Sequence, residues 1–169
     1  MEFYDVLKNR HSIRKFTDKP VEKEKISNIL KAILSSPSAG NLQSYKVHIV
    51  MSQEVKDGLM AAAMDQESIS SAAVVFVFCA DQDVAGSKYG ERGEELYSTQ
   101  DATIAAAYSQ LAITNEGLSS VWVGAFDPLE VSRLIDADSK QLPVAMIPFG
   151  YAAEEPRERR RRTDLFSEV

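Results

Sequence analysis

The chain has 169 residues, 44% of them hydrophobic and 26% charged, which is typical of one soluble globular domain. A net charge of −6 argues against a general nucleic-acid-binding protein, and the single cysteine excludes an internal disulfide or a thiolate metal cluster. Residues 1–10 are charged throughout, unlike a signal peptide, and the longest apolar run, residues 72–80, is too short to span a bilayer. We therefore expect a cytoplasmic protein with no membrane or nucleic-acid partner.

Several segments in the first half of the chain have the hydrophobic spacing of regular secondary structure. From Ile26 to Leu34, apolar residues recur at the helical spacing after Pro20, which predicts an amphipathic helix that ends before Pro37. Residues 72–80 are rich in valine and phenylalanine and predict a central strand buried on both faces. The same reasoning predicts a short helix at residues 2–9, a strand at 45–51 and a helix at 53–66.

The second half begins with a segment of different character. Residues 81–98 contain three glycines and many charges with little periodicity, which predicts a mobile loop or a broken helix. An alanine-rich helix follows at residues 100–116, with Gly117 as its C-terminal cap. The last predicted elements are a strand at 121–126, a helix at 128–136 with Asp127 as N-cap and Pro128 as first residue, and a strand at 143–151.

Four strands alternating with helices predict one three-layer domain over residues 1–151, although the pattern alone leaves the strand order open. Residues 152–169 form a polar tail that contains a basic run of arginines and has apolar residues near its end. We expect this tail to pack on a partner subunit. The sequence predicts no metal site, because neither histidine has cysteine or acidic residues clustered around it.

One short stretch offers two permanent cations and a hydroxyl at every second position. In residues 10–16 (Arg-His-Ser-Ile-Arg-Lys-Phe), an extended backbone would direct Arg10, Ser12 and Arg14 to one side. Such a forked set of donors suits a phosphate or an electron-rich ring edge. The alternative is that both arginines are solvated or paired with Asp5 and Asp18.

A second stretch, residues 36–43 (Ser-Pro-Ser-Ala-Gly-Asn-Leu-Gln), is a loop of small residues with Ser38, Asn41 and Gln43 as side-chain donors. Small residues let a backbone approach a flat ligand closely. Taken alone, these could be ordinary turn residues. Together with residues 10–16, they predict a bound anionic cofactor.

The order and spacing of five segments resemble the FMN-dependent nitroreductase family, of which this chain would be a short, single-domain member. The five segments are residues 10–16, 36–43, 101–118, 121–126 and 144–162. The resemblance implies an α+β fold, a three-layer α/β/α sandwich with a mixed, mainly antiparallel central sheet, in a homodimer with two FMN molecules at its interface. The chain departs from the family in lacking a large helical insertion and a clear set of mid-chain polar flavin contacts, for which residues 65–71 are the place to look.

The resemblance also implies the cofactor-binding residues. The phosphate and the pyrimidine edge of FMN would be held by Arg10, His11, Ser12 and Arg14. The other subunit's loop would contribute Pro37, Ser38, Asn41 and Gln43. The backbone of Val123 and Gly124 would lie near the reactive flavin nitrogen. Arg159 with Arg161 would close over the phosphate, and Arg160 with Arg162 is the competing register.

By resemblance, the activity would be that of an FMN-dependent NAD(P)H oxidoreductase. NAD(P)H would be a transient reductant, and a small planar acceptor (nitroaromatic, quinone or flavin) would follow it in a ping-pong mechanism. No catalytic side chain is predicted, because the chemistry takes place on the FMN ring. The sequence chooses neither the acceptor nor between NADH and NADPH.

Two other classes of protein compete with this hypothesis. A non-catalytic flavin- or nucleotide-binding sensor would use residues 81–98 as a lid that reports ligand binding. An anion- or RNA-binding domain would use the C-terminal arginines, although the overall negative charge disfavours it.

Overall fold

The computed structural model describes residues 1–157 and 160–168. Helices and strands follow one another along most of the chain, and their order is α1 Phe3–Asn9, α2 Lys23–Leu34, β1 Tyr45–Val50, α3 Gln53–Ala62, β2 Val74–Asp81, α4 Gln82–Arg92, α5 Ser98–Asn115, β3 Ser119–Ser120, α6 Pro128–Leu134 and β4 Gln141–Gly150. A short 3₁₀ turn at Ala39–Asn41 precedes β1, and a π-helical turn at Gly93–Tyr97 joins α4 to α5.

The four strands form one sheet in the order β1-β2-β4-β3, and every pair of neighbouring strands is antiparallel. Ser12 adds an isolated parallel bridge to Ser120 at the β3 edge. The sheet is therefore mixed and mainly antiparallel, as predicted.

Side chains of β2 alternate between two apolar layers because successive residues of a strand point to opposite faces. Val75 and Val77 belong to one core cluster with residues of α3 and α6. Phe76 and Phe78 belong to the other, with Ile29 of α2 and alanines of α5. All four are fully buried, and burying each side chain stabilises the fold by about 1.5–3 kcal/mol. The prediction of a central strand buried on both faces is confirmed.

The strand predicted at residues 121–126 is wrong in extent. The paired strand is β3, two residues earlier, and beyond it only Val123 forms an isolated bridge, with Met146 of β4. Val121 and Val123 are buried, which produces the strand-like pattern. The chain then leaves the sheet, and the amide of Asp127 donates to the carbonyl of Ala62 at the end of α3.

Of the two predictions for residues 81–98, the broken helix is confirmed and the loop is wrong. Asp81 caps α4 by accepting a hydrogen bond from the amide of Val84. The helix breaks at Gly90, where φ is 58° and ψ is −150°, and resumes as the π-helical turn. Polar residues without periodicity form this helix because it lies on the surface and buries only Ala85.

The remaining predicted helices and strands are present with ends shifted by a few residues. The helix predicted at 53–66 ends at Ala62, and Gly117, with φ of 73°, follows α5 as predicted. Within the described ranges, no helix has both the length and the hydropathy needed to cross a membrane.

Candidate functional site

Residues 10–16 run as an extended segment between α1 and α2. The amide of Ile13 donates to the carbonyl of Ser120, and Phe16 pairs with Ala152. Ile13 and Phe16 point into the core, whereas Ser12 and Arg14 are exposed. The backbone is thus extended as the sequence analysis required.

The extended segment forms one wall of a cavity of about 1310 Å³. Arg10, His11, Ser12 and Arg14 all line it, as do residues 66–68 and parts of the C-terminal tail. Its described lining includes seven cationic side chains, which are Lys8, Arg10, Arg14, Lys15, Arg157, Arg160 and Arg161, and three carboxylates, which are Glu67, Glu154 and Glu155. A cavity with this excess of positive charge attracts anions.

Arg10 and Arg161 place like charges near each other in this cavity. Burial is the first cause that lowers the pKa of Arg10, and the neighbouring charge of Arg161 is the second. Among the described residues, neither Arg10 nor Arg14 pairs with Asp5 or Asp18, so the alternative of local ion pairs fails. Two guanidinium groups that face one cavity suit a doubly charged oxyanion.

The arginines of the tail differ in their positions. Arg160 and Arg161 line the cavity, whereas Arg162 is engaged by Asp164, with guanidinium-to-carboxylate distances of 3.0 and 2.8 Å. Arg159 lies outside the described residues. The structure therefore places Arg161, but not Arg162, where an anion could meet it.

Glu154 ties the tail to the extended segment, and the sequence analysis missed this role. Its Oε1 accepts hydrogen bonds from the amides of Arg14, at 2.6 Å, and Lys15, at 3.2 Å. The bond from Arg14 is the main cause that lowers the pKa of Glu154. Glu154 thus fixes the backbone from which Arg14 projects.

Part of the stretch 65–71, where mid-chain polar flavin contacts were expected, lies at the cavity. Gln66, Glu67 and Ser68 line the cavity. The side-chain amide of Gln66 donates from Nε2 to the backbone carbonyl of Ala125 at 3.1 Å, which joins this stretch to the residue after Gly124. Val123 is almost completely buried, and neither it nor Gly124 is part of the cavity lining.

The loop at residues 36–43 has an unusual backbone. Gly40, Asn41 and Gln43 all have positive φ, at 56°, 58° and 47°, and such a conformation costs a non-glycine residue about 1 kcal/mol or more. The hydroxyl of Ser38 accepts a hydrogen bond from the amide of Gln43 at 2.9 Å. The side-chain amide of Gln43 donates to Oδ1 of Asn41 at 2.9 Å. The three predicted donors are therefore linked to one another.

This loop does not reach the cationic cavity of its own chain. Pro37 and Ser38 instead line a second cavity of about 590 Å³, together with Tyr97 and the first turns of α5. The structure thus gathers Arg10, His11, Ser12, Arg14 and Arg161 at the first cavity. It places Pro37 and Ser38 at the second, whereas Asn41 and Gln43 line neither of these two cavities.

Two other groups take no part in either cavity. Cys79 is buried in β2, and this burial raises the pKa of its thiol to about 12, as expected for an inert core cysteine. Within the described part of the chain, no cluster of three His, Cys, Asp or Glu side chains could hold a metal ion.

The fold and the cavity define the class of protein, an α+β sandwich with a cationic cavity beside the β3 edge of its sheet. The Nitroreductase family model matches residues 7–73 and 61–151. The chain belongs to the nitroreductase family, and the resemblance seen in five segments is confirmed.

Individual relatives agree with this membership. A protein of Methanothermobacter thermautotrophicus, provisionally named NADH dehydrogenase/NAD(P)H nitroreductase, is 30% identical over 173 residues, covering 98% of this chain and 83% of the relative. An FMN reductase (NAD(P)H) of Bacillus subtilis is 31% identical over 161 residues, covering 88% of this chain and 65% of the relative. The crystal structure of a nitroreductase family protein from Streptococcus pneumoniae has a TM-score of 0.90 at 23% identity, covering 99% of this chain and all of that one. This likeness confirms the predicted fold.

Proposed function

We propose that the chain is an FMN-dependent oxidoreductase that uses NAD(P)H to reduce a small planar acceptor, such as a nitroaromatic compound, a quinone or a flavin. The observation that carries the proposal is the cationic cavity in which Arg10, Arg14 and Arg161 meet. FMN carries one phosphate and a polar ring edge, and both need such donors.

The class of enzyme follows from the family and from its relatives. Relatives aligned over most of this chain are named as NAD(P)H nitroreductase and FMN reductase. The chain is an NAD(P)H oxidoreductase of the nitroreductase family. Its cofactor, acceptor and subunit arrangement belong to the proposal.

The residues present fit FMN in charge and in chemistry. Arg10 and Arg161 lie close enough for their like charges to interact, which a phosphate dianion between them would relieve. Ser12 and Arg14 project from an extended backbone, and Ser68 offers a hydroxyl on another wall of the cavity. When bound, FMN would supply the redox-active ring that exchanges hydride with NAD(P)H and then with the acceptor.

In this mechanism the protein's side chains act by binding and by electrostatics. Arg10 and Arg14 would offset negative charge that develops beside them during reduction, as preorganised donors do in an oxyanion hole. Glu154 would keep the backbone of Arg14 in place through its two hydrogen bonds. No side chain is assigned as a general acid or base, because the hydride would pass to and from the cofactor and the proton that completes reduction of the acceptor would come from solvent. Donor and acceptor would use the same place in turn.

We propose further that two copies of the chain complete each site. The loop of Pro37, Ser38, Asn41 and Gln43 lies apart from the cationic cavity of its own chain. Exposed apolar side chains on α1 and near the chain end support association, and they are Phe3, Tyr4, Leu7, Leu165 and Phe166. The arginine-rich tail at residues 152–169 would pack on the partner.

The test is a visible spectrum of purified protein after incubation with FMN and removal of the excess, recorded anaerobically before and after NADH or NADPH. Flavin bands that bleach on addition of the reductant are the expected result. Colourless protein would overturn the proposed cofactor. Flavin bands that persist with both nucleotides would favour the sensor hypothesis, although its proposed lid at residues 81–98 is helical.

A further inference from the structure

Asp101, in the first turn of α5, is a buried carboxylate for which the sequence analysis found no role. We propose that Asp101 is a positioning residue that holds residues 36–44 in the shape in which Ser38 and Asn41 meet the cofactor. This inference rests on the proposed function.

The carboxylate of Asp101 bonds to the loop on both sides of residues 40–43. Oδ1 accepts a hydrogen bond from the amide of Ala39 at 2.9 Å. Oδ2 accepts one from the hydroxyl of Ser44 at 2.5 Å and lies 3.4 Å from the amide nitrogen of Ser44. Asp101 is 2% exposed and Ser44 is completely buried, so these bonds are shielded from water.

Every hydrogen bond that the structure gives to this carboxylate comes from the loop. Within the described residues, no cationic side chain forms an ion pair with Asp101. Removing a carboxylate from water is costly unless hydrogen bonds replace its hydration. The donors of Ala39 and Ser44 therefore stabilise the buried charge, and the charge in turn fixes both residues.

The backbone between these two anchors needs such support. Gly40, Asn41 and Gln43 have positive φ, and strained conformations persist only where the surrounding structure determines them. Asp101 restrains the chain immediately before and after this stretch. On the outer side, the hydroxyl of Tyr89 and the ammonium of Lys88 lie against Gly40.

The packing of α5 does not require this carboxylate. The helix is held in the core by Ala105, Ala106 and Ile113, all completely buried. Loss of the carboxylate should therefore change the shape of the loop more than the fold. This separation makes a positioning role distinguishable from a general contribution to stability.

The test compares Asp101→Asn with Ser44→Ala and with a matched control, Ile113→Val, which removes one methylene from the core on the same helix. In Asp101→Asn one oxygen remains for the amide of Ala39, but an amide group replaces the acceptor that faces Ser44. Two quantities are measured on FMN-loaded protein, the dissociation constant of FMN and the amide exchange rates of Ala39 and Ser44. Melting temperature is recorded for each variant.

We expect Asp101→Asn to weaken FMN binding roughly tenfold, the size of one lost charge-assisted hydrogen bond, and to speed exchange at Ser44 by a similar factor. Ser44→Ala should change both quantities in the same direction by less. Ile113→Val should lower the melting temperature and leave both quantities unchanged.

FMN affinity in Asp101→Asn and Ser44→Ala equal to that in Ile113→Val would overturn the positioning role. Should Asp101→Asn fail to fold, Ser44→Ala decides the question by itself. Failure of the proposed function is recognised separately, because wild-type protein would then take up no FMN, and the flavin role of Asp101 would fall with it.

Discussion

Arg10 is a half-buried guanidinium close to a second one. Burial and the charge of Arg161 both lower its pKa, which means that the protonated form is held at some cost. We expect Arg10→Gln to weaken FMN binding by about 1.5–3 kcal/mol, since it removes a charged hydrogen-bond donor. The melting temperature of FMN-free protein should stay the same or rise, because repulsion from Arg161 is relieved. Fluorescence titration with FMN and thermal melts measure the two effects.

The control for Arg10→Gln is Arg133→Gln. Arg133 is an exposed residue of α6 that pairs with Glu130 at 2.7 Å and lines neither cavity. This change removes the same charge and should leave FMN affinity unchanged. Equal affinities in the two variants would remove Arg10 from the binding site.

The ionisation of Glu154 makes the stability of the fold depend on pH. Its pKa is lowered in the folded state, mainly by the hydrogen bond from the amide of Arg14. A depressed pKa means that the ionised group contributes stability above its unfolded pKa, near 4.5, and that this contribution is lost as pH falls through the lower folded pKa. We expect Glu154→Gln to lower the melting temperature at pH 7 and to differ less from wild type at pH 3. Parallel thermal melts at the two pH values check this expectation.

Comparing wild type with Glu154→Gln at each pH cancels the titration of all other carboxylates. Glu130→Gln, on α6, is a suitable second variant because Glu130 pairs with Arg133 on an exposed surface. Exposed pairs of this kind contribute little, so this variant should stay near wild type at both pH values. If the melting temperatures of Glu154→Gln and wild type differed as much at pH 3 as at pH 7, the ionised carboxylate of Glu154 would not be the source of the stability.

At the residue scale, the sequence predicted the extended backbone of residues 10–14 better than it predicted the contacts that hold this backbone and the loop at residues 36–44. The alternation of Arg10, Ser12 and Arg14 is a local pattern, and it places them correctly on an extended backbone. Glu154 and Asp101 act on residues 140 and 62 positions away, respectively. Contacts at such separation leave no local pattern, so only the folded structure reveals them.

At the scale of elements, the apolar pattern predicted helices and strands correctly where the apolar residues are the buried ones. Helix α2 has a clear helical period, begins three residues before Ile26 and ends at Leu34. Strand β2 is a continuous apolar run and lies within two residues of its predicted position. Residues 121–126 have a strand-like pattern because Val121 and Val123 are buried, yet their pairing with β4 consists of one hydrogen bond from Val121 to Pro148 and one bridge at Val123. Burial and strand pairing are separate properties, and periodicity reports only the first.

The break between α4 and the π-helical turn depends on one residue. Gly90 has φ of 58° and ψ of −150°, a combination that is almost exclusive to glycine. A Cβ there would meet no atom within 4 Å, so any cost is conformational and not steric. We expect Gly90→Ala to reduce the free energy of unfolding by about 1–3 kcal/mol, measured by urea denaturation.

Ser87→Ala, on the same helix but with ordinary helical backbone, is the control for Gly90→Ala. Its hydroxyl bonds only to the carbonyl of Val84 within its own helix, at 2.8 Å, so alanine should leave stability within about 0.5 kcal/mol of wild type. If Gly90→Ala were as stable as Ser87→Ala, the break would not need glycine. The change of direction that brings the rings of Tyr89 and Tyr97 into contact would then have another cause.

At the scale of the whole molecule, the two predicted motifs occupy different cavities of one chain. Residues 10–16 contribute to the cationic cavity, and residues 37–39 contribute to the second. If both bind one cofactor, the loop has to come from another copy. The proposed dimer then follows from where the motifs lie, and it can be tested without knowing the acceptor.

The test uses two variants, one with substitutions in residues 10–14 and the other with substitutions in residues 38–41, so that each variant lacks the side chains of one half of the site. One carries Arg10→Gln with Arg14→Gln, and the other carries Ser38→Ala with Asn41→Ala. In a heterodimer of the two, one site combines both defects and the other combines two intact halves. We therefore expect tagged, co-expressed heterodimers to bind FMN at about one of two sites with wild-type affinity, whereas each homodimer binds weakly. Titration of purified heterodimer with FMN measures this stoichiometry. Heterodimers no better than the homodimers, or variants that remain monomeric on size-exclusion chromatography, would contradict a shared site, because a site built within one chain gains nothing from a partner with a different defect.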